Sequence, residues 1–330
     1  LVRTALVMAT LTQQPLKLVN IRCGTSHPGL DIEDIVLLKA LSASCKAAVE
    51  GGDIGSQVLS YSPTRPIGKF EIGSEPKKQS RGANTLVILS TLLPVVAKCG
   101  AFVELSAIGE TYGPNTLTFD YFANVTLSAA RKMGAYAWTD QMSTGFGRES
   151  VGEVHMEAEP SVITGVNWLN RGNLVSCHAI VTTSNLADHV AQRGTNHLER
   201  LANYSNVPCR VESKSVGGLA SGAAVTVWCE FENGIGGAAV VGSRGVRIET
   251  VAQGAFEGMA SFLESKASVD AHLADQMFLL GMIAEGETSF VSPRITRRLT
   301  TMAWVAKQFL PIHILISGSE GTPGSVSIQR

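Results

Sequence analysis

Long apolar runs are missing from this 330-residue chain. None approaches the roughly 18–20 residues that cross a bilayer, so the sequence predicts no membrane-spanning helix and no membrane partner. Nor does it show the charged-then-apolar leader of a secretory signal, although it opens at Leu1 rather than Met. An excess of basic charge is also lacking. With 27 Lys and Arg against 28 Asp and Glu, the net charge is -1, and no broad cationic surface advertises nucleic acid. A local site is still open to the sequence, because roughly three or four converging cations are enough to hold phosphate groups. Paired cysteines are absent too. Cys23, Cys45, Cys99, Cys177, Cys209 and Cys229 stand singly, without a C-x-x-C pair. That spacing argues against a disulfide framework and a clustered zinc site. It predicts reduced, mostly buried thiols and a cytoplasmic protein, or a nuclear one in a eukaryotic cell.

What the chain has in quantity is apolar residues, 45% of the total, enough for a sizeable core or two domains. Their periodicity repeats a helix-strand-helix-strand pattern three times. The first copy predicts a helix over 4–12, a strand over 16–21, a helix over 33–49 and a strand over 57–61. The second predicts a helix over 85–98, a strand over 101–107, a helix over 120–133 and a strand starting at 136–139. The third predicts a helix over 273–284, a strand over 288–291, a helix over 299–308 and strands over 313–317 and 325–329. The first helix of each copy is almost wholly apolar and is expected inside. The second is more amphipathic and is expected to cover the outside. The fold class is therefore α/β, an α+β sandwich. Residues 167–266 break the period. They predict strands over 174–182, 209–213, 223–231 and 237–241 with helices over 186–204 and 248–265, a small α/β domain inserted into a core made of 1–166 and 267–330.

Several motifs occur in one order along this framework. They are Ile21-Arg22-x-Gly24 followed by Pro28-Gly29-Leu30, the helix TLVILSTLLP over 85–94, Arg171-Gly172-Asn173-Leu174-Val175, His189-Val190-Ala191-x-Arg193, and His272-Leu273-Ala274-Asp275-Gln276. Together they resemble the RNA 3'-terminal phosphate cyclase family over essentially the whole chain, with extra residues around 75–81. The resemblance implies three steps. A histidine attacks the α-phosphate of ATP, AMP passes to an RNA 3'-phosphate, and the neighbouring 2'-hydroxyl displaces AMP to leave a cyclic phosphate. ATP and a divalent metal, Mg or Mn, are the implied cofactors, and a nucleotide or an RNA 3' end is the implied partner.

The family's nucleophilic histidine, counted back from Phe309-Leu310-Pro311, falls on Arg298. A guanidinium stays protonated and offers donors only, so it has no lone pair for phosphorus. It can grip a phosphate through two parallel hydrogen bonds. Arg294, Arg297 and Arg298, ahead of a helix capped by Thr296, read either as a phosphate clamp or as a solvated basic turn. Arg3 matches an arginine that faces phosphate in the family, and Arg22 matches a second family arginine and reads either as phosphate-binding or as a surface arginine at a strand end. His272, Asp275 and Gln276 match positions that hold the adenosine, Asp275 suiting ribose hydroxyls and Gln276 a base edge; a structural role at a helix start is the other reading. The family's Glu-Gly-Gly-Gly-Gln segment would precede Leu1.

Departures accumulate elsewhere. Gly24-Thr25 stands where the family tends to have Gly-Arg, and Ile32-Glu33-Asp34 replaces its Arg-Gln-His. These carboxylates repel polyphosphate, bind a metal or stabilise a helix start. Lys77, Lys78 and Arg81 read as a phosphate-reaching loop or a solvated one. The run from Gly145 to Gly152 replaces a glycine-rich stretch, and Tyr112-Gly113 replaces Asp-Asn, while Thr111, Pro114 and Asp120 survive. Three functions follow as expectations: a nucleotide- or RNA-binding relative unable to form a nucleotidyl-histidine, a working cyclase or nucleotidyl-transfer enzyme using another group, and an enolpyruvyl transferase. The last type needs six such repeats and shows no matching reactive cysteine here.

Overall fold

In chain order the helices are α1 (Val2–Thr12), α2 (Ile32–Cys45), α3 (Thr85–Ala97), α4 (Phe119–Tyr121), α5 (Leu127–Lys132), α6 (Asp188–Tyr204), α7 (Ile248–Glu264), α8 (Ala271–Gly281) and α9 (Arg297–Phe309). The strands are β1 (Leu16–Leu18), β2 (Ala48–Glu50), β3 (Leu59–Ser62), β4 (Val103–Gly109), β5 (Ala137–Ser143), β6 (Gly152–Ala158), β7 (Asn167–Trp168), β8 (Leu174–Ser184), β9 (Cys209–Ser215), β10 (Gly222–Phe231), β11 (Gly234–Val241), β12 (Thr288–Ser292), β13 (His313–Ser317) and β14 (Gly324–Gln329). This computed structural model describes residues 1–68, 83–114, 117–147 and 151–330. Lys77, Lys78, Arg81 and Arg148 lie outside the described residues.

The helices richest in apolar residues sit innermost. α1 packs on α2, α3 and α9, and α3 packs on α8. Leu6, Met8, Leu89, Leu92 and Phe278 are sealed from solvent, each burial stabilising by roughly 1.5–3 kcal/mol. α3 tolerates Pro94 in its interior because neighbours on all sides replace the stability of the missing backbone bond. Three small sheets flank these helices, ordered β1-β3-β2, β4-β6-β5 and β13-β14-β12-β7. The fourth sheet, β11-β10-β8-β9, belongs to residues 174–241. Its one face carries Cys177, Val181, Val225 and Val227 into a separate core against Phe256 and Met259 of α7.

Several expected elements differ. The helix predicted to reach residue 49 ends at Cys45, where Lys46 takes a left-handed backbone and returns its N–H to Ser42. Residues 48–50 then pair with β3, and this strand pairing overrides the helix propensity of Ala47 and Ala48. The strand predicted over 16–21 stops at Leu18, and Ile21 to Gly24 forms a turn. β6, unpredicted, is the centre of its sheet. β7, placed by the sequence at the start of the insert, pairs in parallel with β12.

The helix over 119–132 does not cover the outside as expected. It is buried from Phe119 to Phe122 and again at Val125, Leu127 and Ala130, because β11 lies against it. A π turn at Phe122–Thr126 interrupts it. Asp120, at its start, accepts from Tyr112 Oη at 3.0 Å and Thr182 Oγ1 at 2.7 Å, and pairs with Lys214 Nζ at 2.5 Å. Asp120, which survives from the resemblance, thus ties the 174–241 sheet to the rest of the chain.

Candidate functional site

The starts of five helices converge on one cleft of about 1240 Å³, which residues of α1, α2, α3, α8 and α9 share with Gly237 to Val241 of β11. Helix starts carry partial positive charge and suit anions. Four of them are already capped by their own side chains. Asp31 accepts from Asp34 N, Asn84 from Leu86 and Val87 N, Asp270 from His272 and Leu273 N, and Thr296 from Leu299 N. The clamp that the sequence places at Thr296 therefore has one of its N–H groups taken by Thr296 itself.

Arg3 and Arg22 meet on one wall, as the spacing implies, but each is held by carboxylates. Arg3 Nη2 lies 3.1 Å from Asp31 Oδ2 and 3.9 Å from Glu33 Oε2, and its Nε lies 3.2 Å from Asp34 Oδ1. Arg22 bonds to Asp31 Oδ2 at 2.8 Å, Asp34 Oδ2 at 2.6 Å and Gly29 O at 2.6 Å. Arg22 reaches them from a left-handed backbone, φ 49°. Gly29, φ +89°, has no room for a side chain, since an added Cβ would lie 2.1 Å from Gly55 O. This close approach explains the glycine of the Pro-Gly-Leu motif and sets Asp31 beside Arg22. The wall has three acids to two arginines.

Asp31 and Asp34 cap each other's backbone, Asp34 N to Asp31 Oδ1 at 2.8 Å and Asp31 N to Asp34 Oδ2 at 3.1 Å. Burial pushes both carboxyls up. At Asp34 the hydrogen bond from Arg22 and the charge of Arg3 prevail and hold it below the ordinary carboxylate range. At Asp31 burial prevails with help from the charge of Asp34, against Arg3, and its affinity for a proton rises. The Ile32-Glu33-Asp34 departure is therefore a local neutraliser of the arginines and a helix cap.

The opposite wall is less encumbered. Arg298 is mostly exposed, its Nε 3.8 Å from Asp275 Oδ2. Arg294 is exposed, lines the cleft and makes no ion pair among the described residues. Arg297 is exposed and does not line it. Asp275 accepts from Thr296 Oγ1 at 2.5 Å, and burial raises its carboxyl despite that bond and the charge of Arg298. Gln276 Oε1 accepts from Thr126 Oγ1 of the π turn at 2.6 Å. His272 is exposed and lines the cleft. His313 begins β13, as expected, and is not part of the cleft.

Asp270 was not singled out by sequence, although an Asp two residues before a helical His is a recognisable cap signal. Its Oδ1 accepts from His272 N at 2.8 Å and Leu273 N at 3.1 Å, and its Oδ2 from Tyr121 Oη at 2.7 Å and Gly237 N at 3.0 Å. One carboxylate thus joins three elements at the cleft. Gly237 can approach because it has no Cβ, which would lie 2.3 Å from Val227 O.

The motif residues of 171–193 serve packing. Arg171 donates to Leu263 O at 2.9 Å and lies over the Phe231 ring at 4.3 Å, and Arg193 pairs with Glu249 through two 2.8 Å bonds.

With this geometry in place, comparison with known proteins is decisive on kinship. The family model described as RNA 3'-terminal phosphate cyclase matches residues 1–316. The chain belongs to the RNA 3'-terminal phosphate cyclase family. It is 31% identical over 340 residues to the RNA 3'-terminal phosphate cyclase of Thermococcus gammatolerans, covering 100% of this chain and 94% of that protein. To that of Nostoc punctiforme it is 29% identical over 312 residues, covering 93% and 89%. The Methylococcus capsulatus cyclase is 29% identical over 335 residues, covering 100% and 92%. Among solved structures it is similar to the enolpyruvyl transferase NikO from Streptomyces tendae at a TM-score of 0.36 and 10% identity, covering 99% of this chain and 45% of that one. A likeness that slight carries no argument. In this chain's cleft an arginine stands at 298 and acids hold Arg3 and Arg22.

Proposed function

We propose that this cyclase-family protein binds a nucleotide or an RNA terminal phosphate in the cleft without forming a nucleotidyl-enzyme through position 298. The observation that carries the reading is Arg298, a side chain at the cleft that can hold an anion but has no electron pair to give phosphorus. In this reading the phosphate lies toward Arg294 and Arg298, because the Arg3 and Arg22 wall carries a net negative charge. His272, Asp275 and Gln276 hold the nucleoside. The core of 1–166 and 267–330 supplies most of the site, and the inserted unit of 167–266 closes it. ATP fits as ligand rather than as reactant. Among the described residues, no group of three or more His, Cys, Asp or Glu is arranged to hold a metal, and the reading needs none.

Incubation with ATP labelled at the α-phosphate, with Mg or Mn ions, tests it. The expected result is no acid-labile label on the protein and no cyclisation of a 3'-phosphorylated oligonucleotide. Label that survives gel separation and is released by acid overturns the reading.

One observation favours a second reading, an active nucleotidyl-transfer enzyme. His272 is exposed in the same cleft, and an imidazole has the lone pair that Arg298 lacks. It predicts an acid-labile adduct that His272→Ala abolishes.

The carboxylate wall gives a binding prediction. Asp31→Asn removes one negative charge beside both arginines and so opens the Arg3 and Arg22 wall to a phosphate as well, worth on the order of 1–2 kcal/mol after screening. ATP should bind about tenfold tighter by calorimetric titration at moderate salt. Unchanged or weaker binding contradicts the placement of Asp31 as a competitor for the arginines.

A further inference from the structure

The sheet β4-β6-β5 has an outer face that the cleft does not use. Among the described residues β5 is the edge strand and pairs on one side, with β6. Its outward residues include large apolar side chains, with Tyr136, just before it, 49% exposed, Trp138 45% and Met142 58%. The Tyr136 and Trp138 rings stack at 6.5 Å. Such a stretch on an open edge is the feature that soluble proteins usually cover or blunt with lysine.

Here the charge runs the other way. The three seven-residue strands contain no lysine or arginine. Across the face, Glu104 stands opposite Glu157, Trp138 opposite Glu157, and Asp140 opposite His155. The imidazole of His155 is already 3.1 Å from Glu153. Two carboxylates directly opposite each other across strands are destabilising, so this face gains from a cation supplied from outside. Arg131 reaches Ala137 O at 3.0 Å, near one end of the strand, and Ser128 Oγ at 2.9 Å.

We propose that β5 is the docking edge for an extended, basic segment of a partner protein. The segment adds as a strand beside β5, lays its aliphatic parts on Tyr136, Trp138 and Met142, and places Lys or Arg among Glu104, Asp140 and Glu157. RNA stacking on the same rings is disfavoured because its phosphates would meet these carboxylates. None of these residues lines the cleft, so the proposal stands or falls apart from nucleotide binding.

The test uses the full chain and fluorescein-labelled probes read by anisotropy. The probes are an eight-residue peptide alternating lysine and valine, the same peptide with glutamate for lysine, and an eight-nucleotide single-stranded RNA. The lysine peptide should bind at least tenfold tighter than the other two, and Trp138→Ser or the pair Asp140→Lys and Glu157→Lys should remove that advantage. Thermal melting of each variant verifies that it is folded. Equal binding of the acidic peptide, insensitivity to both variants, or preferred binding of RNA that Trp138→Ser abolishes overturns the proposal. So does self-association, seen by sedimentation, that the same substitution abolishes.

Discussion

Asp270→Ala is expected to destabilise the fold by about 3–5 kcal/mol, measured by chemical denaturation. The side chain is almost fully buried and accepts four hydrogen bonds. Loss of a helix cap costs about 1–2 kcal/mol. The remainder comes from Tyr121 Oη and Gly237 N–H left without an acceptor, at roughly 1–3 kcal/mol for a buried unsatisfied group. Tyr121 has no alternative, since burial, with Asp270 beside it, pushes its hydroxyl far above the ordinary range and keeps the proton on. Asp270→Asn separates the contributions. Its one carbonyl oxygen can keep the cap or the bridge to Tyr121 and Gly237, but not both, so about half of the loss should remain. Equal stability of the alanine variant and the parent would show that the bridge between α8, α4 and β11 carries no weight.

Asp34→Ala is expected to lower stability by about 2–4 kcal/mol. Removing one partner of a fully buried ion pair costs roughly 3–5 kcal/mol. Here the Asp34 side chain is 0% exposed, but its partners Arg3 and Arg22 are 29% and 30% exposed, so water screens part of the loss. The same group sets an acid limb. Its folded pKa lies below the unfolded value of about 3.9. Its contribution is therefore complete above that pH and is lost as pH falls through the lower, folded value. Unfolding free energies measured from pH 5 downward should fall below about pH 4 in the parent and fall less in Asp34→Ala. An identical acid limb in both would place the titrating group elsewhere.

The mixed α/β architecture was legible because its signals are local. The apolar helices around Leu6, Leu89 and Phe278 and the strands around Val227 and Phe290 follow from periodicity read over a dozen residues. Elements whose existence depends on a partner were not. β2 looks helical until β3 lies beside it, and β6 is a short polar-apolar alternation that only its neighbours on both sides make a strand. The burial of the 119–132 helix was unreadable for the same reason, since β11 covers it from more than a hundred residues away.

By itself the sequence determined the cyclase-family relationship, the helix cap at Thr296 and the chemical incapacity of Arg298. Each of these rests on residue identity and spacing. Only the tertiary structure decided that Arg3 and Arg22 are held by Asp31, Glu33 and Asp34, that Arg298 and Arg294 face the cleft with fewer partners, and that Asp270 fastens three elements at its rim. Charge pairing falls off over a few ångströms, and those distances are set by how separate helices meet.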